Sequence, residues 1–345
     1  MRSLMLIIVS ILLMSVSCTK SQSEKMNSSE SAADSVKWAI VIHGGAGVIS
    51  KSIPDSVKQV YLDALNRALQ IGTKMLKNGD HGLDVVEKVI NSLENDPHFN
   101  AGKGAVYTHA GTHEMDAAIM DGSNLQAGAV AGVKHVKNPI SAARLVMEKT
   151  PHVLLSGDGA DQFAREQGLQ MEPQSYFDTE HRRKQWEQVK DKESYNRDLK
   201  KDPATYFDEH KFGTVGCAVL DTYGNLTAGT STGGLTDKKH GRIGDSPIIG
   251  AGTYANNKTC AISSTGIGEL FMRHVVSYDI SAMMQYKGMT LQEAASKEIH
   301  EKLQPGDGGV IGVSHDGSVV MVFNTQGMFR ATANSNGRKE VKIWE

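Results

Sequence analysis

A polar, charge-crowded stretch divides this chain in two. Residues 167–211 include Arg182-Arg183-Lys184 and Lys200-Lys201-Asp202-Pro203, and strand character then resumes abruptly at Phe212-Gly213-Thr214-Val215-Gly216. Upstream, residues 39–42 are a continuous apolar run ending in His43-Gly44-Gly45-Ala46-Gly47, the pattern of a buried strand feeding a glycine turn. From Pro54 onward, Val57, Tyr61, Leu65, Leu69 and Met75 with Leu76 share a helical face that closes at Gly79. Leu83, Val86, Ile90 and Leu93 mark a second helix. Residues 114–120 and 125–130 read as a hairpin around Asp121-Gly122, Asn138-Pro139 opens a short helix through Glu148, and 152–155 is another strand. Downstream, 215–220 and 226–231 form a second hairpin, 260–264 a further strand, and a helix runs on from Glu269. Thr290 with Glu293 makes a capping box, and the last strands are 309–313 and 319–323. Two similar sets of strands and helices thus flank a stretch that by itself reads as a solvated helix and loop.

Charge and composition remove several classes of function. The 37 Lys+Arg and 39 Asp+Glu leave a formal net charge of -2, which argues against nucleic acid or anionic lipid as the main partner. Hydrophobic content of 39% and charged content of 22% are those of a globular chain, and 345 residues suit one large domain or two ordinary ones. Glycine is in excess at 35 residues, most of it in short runs that look like sites. At the start, Arg2 precedes an apolar run over 4–16, shorter than the ~20 residues of a membrane span but right for a signal-peptide core. Ser15-Val16-Ser17 followed by Cys18 resembles the lipobox of bacterial lipoproteins, with Ser15 where that motif prefers Leu. The expectation is a signal peptide over 1–17 and a lipidated Cys18 on a flexible tether over 18–37. The protein would then be exported, periplasmic or attached to the outer membrane, touching lipid only through that anchor. Cys217 and Cys260 remain, too few for a disulfide framework, and read as small buried hydrophobes.

Two nucleophiles compete. Gly229-Thr230-Ser231-Thr232-Gly233 matches G-x-S-x-G, and His43-Gly44-Gly45 resembles an esterase oxyanion loop. A nucleophile elbow needs a helix directly after the serine, and residues 234–247 have no helical periodicity. The glycines at 44–45 and 306–309 match neither phosphate-binding fingerprint. Thr214 is the other candidate. A threonine hydroxyl is a poor nucleophile without an adjacent base, and one solution makes it the first residue of a chain, so that its own α-amine takes the proton. That requires cutting between Gly213 and Thr214. On residue chemistry alone, Thr214 is either such a nucleophile or an ordinary strand threonine.

Several ordered motifs now carry a resemblance. His43-Gly44-Gly45-Ala46-Gly47, Phe99-Asn100-Ala101-Gly102, Met115-Asp116-Ala117, Phe212-Gly213-Thr214-Val215-Gly216, the 230–234 run, Gly241-Arg242-Ile243-Gly244-Asp245-Ser246-Pro247 and Ser264-Thr265-Gly266-Ile267-Gly268-Glu269 occur in the order seen in plant-type asparaginases, also called isoaspartyl peptidases. The resemblance covers roughly residues 38–331. It implies an α+β fold, the four-layer αββα sandwich of N-terminal nucleophile hydrolases. Autocatalytic cleavage would give an α subunit over 38–213 and a β subunit over 214–345, associated as a dimer of heterodimers. In these terms Thr214 attacks, Thr232 polarises its hydroxyl, and Thr265 with Gly266 forms the oxyanion hole. Arg242 binds the substrate α-carboxylate, Asp245 its α-ammonium, Gly268 adds a backbone contact, and Asn100 positions Thr214. No cofactor is implied. The loop bounded by Leu93 and Lys103 resembles a segment that binds sodium through backbone carbonyls, although Asp96 and Lys103 stand where relatives are often apolar. The implied activity is hydrolysis of β-aspartyl peptides and L-asparagine to release L-aspartate. Glycosylasparaginase and an amino-acid-binding surface lipoprotein are the alternatives.

Overall fold

The computed structural model describes residues 36–190 and 213–345. The signal peptide, the lipobox cysteine and most of the tether expected from the sequence lie outside the described residues. Among those described, no helix is long and apolar enough to cross a membrane.

The apolar run before the first glycine turn becomes β1 (Ala39–Gly47), buried along its whole length. Two helices follow, α1 (Asp55–Asn78) and α2 (Gly82–Glu94). Pro54 precedes α1, and Gly79 ends it in the left-handed region at φ 85°, donating to Leu76 O. Next come β2 (Met115–Asp121), β3 (Ala127–Val133), α3 (Pro139–Lys149), β4 (Leu154–Ser156), α4 (Gly157–Glu166) and α5 (Glu180–Val189). Past the polar stretch lie β5 (Val215–Leu220), β6 (Leu226–Thr232), β7 (Thr253–Ala255) and β8 (Cys260–Gly266). Then follow α6 (Gly268–His274), α7 (Val276–Lys287), α8 (Leu291–Ser296), β9 (Gly308–Ser314), β10 (Val319–Phe323), β11 (Gly327–Asn334) and β12 (Lys339–Lys342). The capping box read at Thr290 and Glu293 is present at the start of α8.

The strands form two sheets. The larger has the order β12-β11-β1-β5-β6-β2-β3-β4, the smaller β10-β9-β8-β7. Alternation along β1 and β5 explains why both strands are apolar throughout. Ile40, Ile42, Cys217 and Val219 face a core built with Leu65, Leu69, Val86 and Ile90 of the helices. Ala39, Val41, Ala218 and Leu220 face Ala261, Ile311 and Val313 of the smaller sheet. That sheet buries Cys260, Ile262 and Val310 under Phe271, Ile280 and Leu291. Three apolar interfaces between four layers make the αββα sandwich that the resemblance implied. The two sets of elements flanking the polar stretch do not form separate sheets, because β1 pairs with β5 on one side and β11 on the other. Both cysteines are free and buried, and burial pushes the Cys260 thiol up to about 12. The polar stretch departs from its solvated reading at Arg182 on α5, which is only 4% exposed.

Glu94, the last residue of α2, is wholly buried and joins three elements. It accepts from the Ser231 hydroxyl of β6 at 2.7 Å, from Asn138 Nδ2 at 2.9 Å and from the Ile140 amide of α3 at 3.0 Å. Burial outweighs these donors and raises its pKa from 4.5 to about 7. The folded state therefore holds a proton that the unfolded chain gives up. Stability should fall as pH rises from about 4.5 to about 7, by up to about 1.4 kcal/mol per pH unit. Urea unfolding of wild type and Glu94→Gln across pH 4.5–8 should show this decline in the first and a flatter profile in the second. Parallel profiles would mean that Glu94 is not protonated in the fold.

Candidate active site

Thr214 stands immediately before β5, in the middle of the larger sheet. The β5–β6 ladder pairs Val215 with Ser231, so the next residue of β6, Thr232, comes alongside Thr214. The Thr214 hydroxyl donates to Thr232 Oγ1 at 3.0 Å, and Thr232 Oγ1 also accepts from the Gly234 amide at 3.0 Å. Side chains alternate along β6. Thr230 and Thr232 therefore face one way, while Ser231 faces the other and is spent on Glu94. No helix follows Ser231, so the G-x-S-x-G run is a strand with a buried structural serine.

Sequence reasoning assigned no role to His43 itself. Its ring is fully buried, and burial lowers its pKa from 6.5 to about 3, so it is neutral. Nδ1 lies 3.0 Å from the Thr214 carbonyl oxygen, which can only accept, so Nδ1 carries the proton. Nε2 then accepts from Ser263 Oγ at 2.9 Å, and Ser263 is 2.7 Å from Thr230 Oγ1. Gly216 makes this pair possible, since a Cβ there would lie 2.0 Å from Ser263 Oγ and 2.3 Å from His43 Nε2. The signal available in the sequence was the histidine at the head of a glycine run.

Gly213 is held just as closely. Its carbonyl accepts from the Asn100 amide at 3.0 Å, and the Asn100 carbonyl accepts from Gly233 at 3.0 Å. The Asn100 side chain works elsewhere, donating to Gly234 O at 2.7 Å and accepting from the Val106 amide at 3.0 Å. Asn100 thus reaches the Gly213–Thr214 junction through its backbone. Across the junction, β1 bulges between His43 and Gly45. Gly45 has φ 109°, and a Cβ on it would fall 2.5 Å from Gly213 Cα. The next residue, Ala46, donates its amide to Thr265 Oγ1 at 3.3 Å. Among the described residues, Thr265 makes no hydrogen bond to Thr214. That bond ties Thr265 to the β1 glycine turn, and Gly266 follows it at the end of β8.

Beyond Gly234 the site becomes charged. A Cβ on Gly234 would lie 3.1 Å from Lys238 Nζ and 3.5 Å from Arg242 Nη1. Arg242 donates from Nε and Nη2 to the two oxygens of Glu269, both at 2.9 Å, so that edge of its fork is already used and the Nη1 edge is left. Asp245 is 5% exposed, and its Oδ2 has no hydrogen-bond partner. Burial raises its pKa to about 7 against the opposing pull of Arg242. Gly268 completes the pocket, where a Cβ would sit 2.8 Å from Arg242 Nη2 and 3.0 Å from Asp245 Oδ1. Asp116 Oδ2 is a second buried carboxylate oxygen without a partner. Lys238, also buried, donates to Glu114 O at 2.8 Å.

The loop bounded by Leu93 and Lys103 crowds backbone oxygens onto its glycines. A Cβ on Gly104 would lie 2.0 Å from Phe99 O and 2.7 Å from Pro97 O, and one on Gly102 would lie 2.4 Å from Glu94 O. Asp96 turns away to Arg67 and His98, at 3.0 and 2.6 Å, and Lys103 lies 5.3 Å over the Tyr176 ring. Among the described residues, no cluster of three or more His, Cys, Asp or Glu side chains could hold a metal.

Known proteins resemble this chain along most of its length. The sequence profile of the asparaginase family matches residues 36–343. An isoaspartyl peptidase of Salmonella typhimurium is 48% identical over 298 residues, covering 86% of this chain and 95% of its own. One from Escherichia coli is 47% identical over 306 residues, covering 86% and 92%. An isoaspartyl peptidase/L-asparaginase of Mus musculus is 40% identical over 316 residues, covering 90% and 92%. With the αββα sandwich and the Thr214 junction in place, the chain belongs to the asparaginase family, the threonine-type N-terminal nucleophile hydrolases that include the isoaspartyl peptidases.

Proposed function

We propose that this enzyme cuts itself between Gly213 and Thr214 and then hydrolyses β-aspartyl peptides and L-asparagine, releasing L-aspartate. One observation carries the reading: a buried threonine hydroxyl, hydrogen-bonded to a second threonine, sits beside a glycine carbonyl whose oxygen accepts a backbone N–H. In maturation, Thr214 Oγ attacks the Gly213 carbonyl carbon, and the Asn100 amide faces the oxygen on which negative charge develops. The C–N bond breaks as the C–O bond forms, Thr214 keeps the nitrogen as a free amine, and water hydrolyses the resulting ester. In turnover that amine accepts the Oγ proton, Oγ attacks the substrate β-carbonyl, and Thr265 with Gly266 stabilises the oxyanion. His43, through the Thr214 carbonyl, holds the nucleophile in place once its upstream bond is gone.

The charged pocket supports the aspartyl specificity. The unpartnered Asp245 Oδ2 suits the substrate α-ammonium, and the free Nη1 edge of Arg242 suits the α-carboxylate, with Gly268 leaving room for both. The relatives' names favour isoaspartyl peptides over glycoasparagine. In this reading the 93–103 loop holds sodium through its main-chain oxygens. Residues 1–17 direct export and Cys18 carries the lipid, which metabolic labelling with palmitate tests.

The purified protein should yield two polypeptides, and sequencing the smaller should read Thr-Val-Gly-Cys. Thr214→Ala should remain one inactive chain, whereas Thr214→Ser should keep both reactions in weakened form. Thr232→Ala removes one hydrogen bond to the nucleophile, about 1–3 kcal/mol or roughly 5–150-fold in rate. An uncut but fully active chain would refute the mechanism.

Arg242→Ala should mature normally and lose about 2–4 kcal/mol, chiefly in KM. Because Asp245 must be anionic to bind an ammonium, KM for asparagine should rise as pH falls below about 7. A KM flat from pH 5 to 8 would remove Asp245 from that role.

A further inference from the structure

A cavity of about 580 Å³ opens beside the Gly213–Thr214 junction, with neither Arg242 nor Asp245 in its lining. Gly213 and the β1 glycine turn form one wall. Val48, Val57 and Phe329 line another, and Val48 and Val57 are 47% and 43% exposed there, although Val57 belongs to the apolar face of α1. Arg182 also lines the cavity. This guanidinium has five N–H donors. Three are accounted for: Nε to Gly104 O at 2.8 Å, Nη1 to Gln185 Oε1 at 2.9 Å, and Nη2 to His98 O at 3.4 Å. Among the described residues, no carboxylate lies on it. Its Nη2 is 3.6 Å from where a Cβ on Gly213 would stand. Burial brings its pKa down only to about 10, so it stays cationic.

The chemistry of turnover says what belongs in this cavity. The leaving amine must take its proton from the Thr214 α-amine as the amide bond breaks. That amine is the nitrogen which, in the uncut chain, is bonded to Gly213. A leaving residue therefore occupies the place of Gly213, on the cavity wall and beside Arg182. We propose that the cavity is the subsite for the leaving amino acid of a β-aspartyl dipeptide, seating an apolar side chain against Val48, Val57 and Phe329 and its free carboxylate on Arg182. This rests on the hydrolytic reading above. The bonds balance as in any amidolysis: Oγ–C forms, C–N breaks, the amine leaves with the relayed proton, and water releases aspartate.

The test compares β-aspartyl-leucine with β-aspartyl-leucinamide, which keeps the side chain and lacks the carboxylate. Matured wild type should favour the acid by about 10–100-fold in kcat/KM, the size of one charge-assisted contact. Arg182→Gln should bring that ratio close to one, and Arg182→Lys should restore part of it. β-Aspartyl-leucine should also be cleaved faster than β-aspartyl-lysine. Equal handling of acid and amide by wild type, or an undiminished ratio in Arg182→Gln, would overturn the proposal. If Arg182→Gln does not mature, inhibition of wild type decides, since leucine should compete and leucinamide should not. Asparagine, whose leaving group is ammonia, is the reference. If wild type cleaves neither asparagine nor the dipeptide, the hydrolytic reading itself has failed.

Discussion

The pairing of β5 between β1 and β6 is the interaction on which the site depends. Ile42 opposes Cys217, His43 opposes Gly216, and Val215 opposes Ser231. Thr214 stands one residue ahead of that ladder, so its neighbours are dictated by register. Thr232 comes to its hydroxyl and His43 to its carbonyl. A slip of one residue would turn Ser231 toward the nucleophile and bury Thr232 among the helices, and it would expose every core side chain of β5 to the wrong layer. The three apolar interfaces of the sandwich forbid that slip. Packing is therefore what sets the geometry around Thr214.

The charges around Arg242 and Asp245 are held at a cost that the same packing absorbs. Buried ions lose several kcal/mol of hydration each, and only good pairing returns it. Arg242 and Glu269 are well paired, with two bonds of 2.9 Å. Asp116 and Asp245 are not, and each keeps one oxygen without a donor. Desolvation accordingly drives both carboxyls toward the protonated form. A cationic group arriving at Asp245 would relieve that penalty.

Much of this was legible in the sequence, for physical reasons. Periodicity fixed β1, the two hairpins, α1 and α2, because those elements bury one face or both and their apolar spacing has no other use. Thr214, Thr232, Arg242, Asp245 and Gly268 were singled out because short motifs keep them adjacent along the chain. What escaped was long-range. Arg182 lies in a run of basic residues that composition assigns to solvent, and only the packing of α5 against the 98–104 loop buries it. β11 carries Arg330 in its interior, which breaks the apolar alternation that would have marked a strand, yet that side chain is buried and donates to the carbonyls of Met328 and Ile343. Asn100 was found as a residue but not as an atom, since nothing local says that its backbone amide, rather than its carboxamide, faces Gly213.

The interleaved sheet has a further consequence for a chain cut at Gly213. β5, β6 and β11 would belong to one piece, and β1, which lies between β11 and β5, and β2, which pairs with β6, would belong to the other. Neither piece could then leave without opening three ladders, β1–β11, β1–β5 and β2–β6, and two apolar interfaces. Folding is unimolecular while the chain is whole. After the cut, recovery from denaturation becomes a meeting of two molecules, with a midpoint that shifts with protein concentration. An uncut chain could refold at any dilution, whereas a cut one would be kept together by the barrier to unfolding.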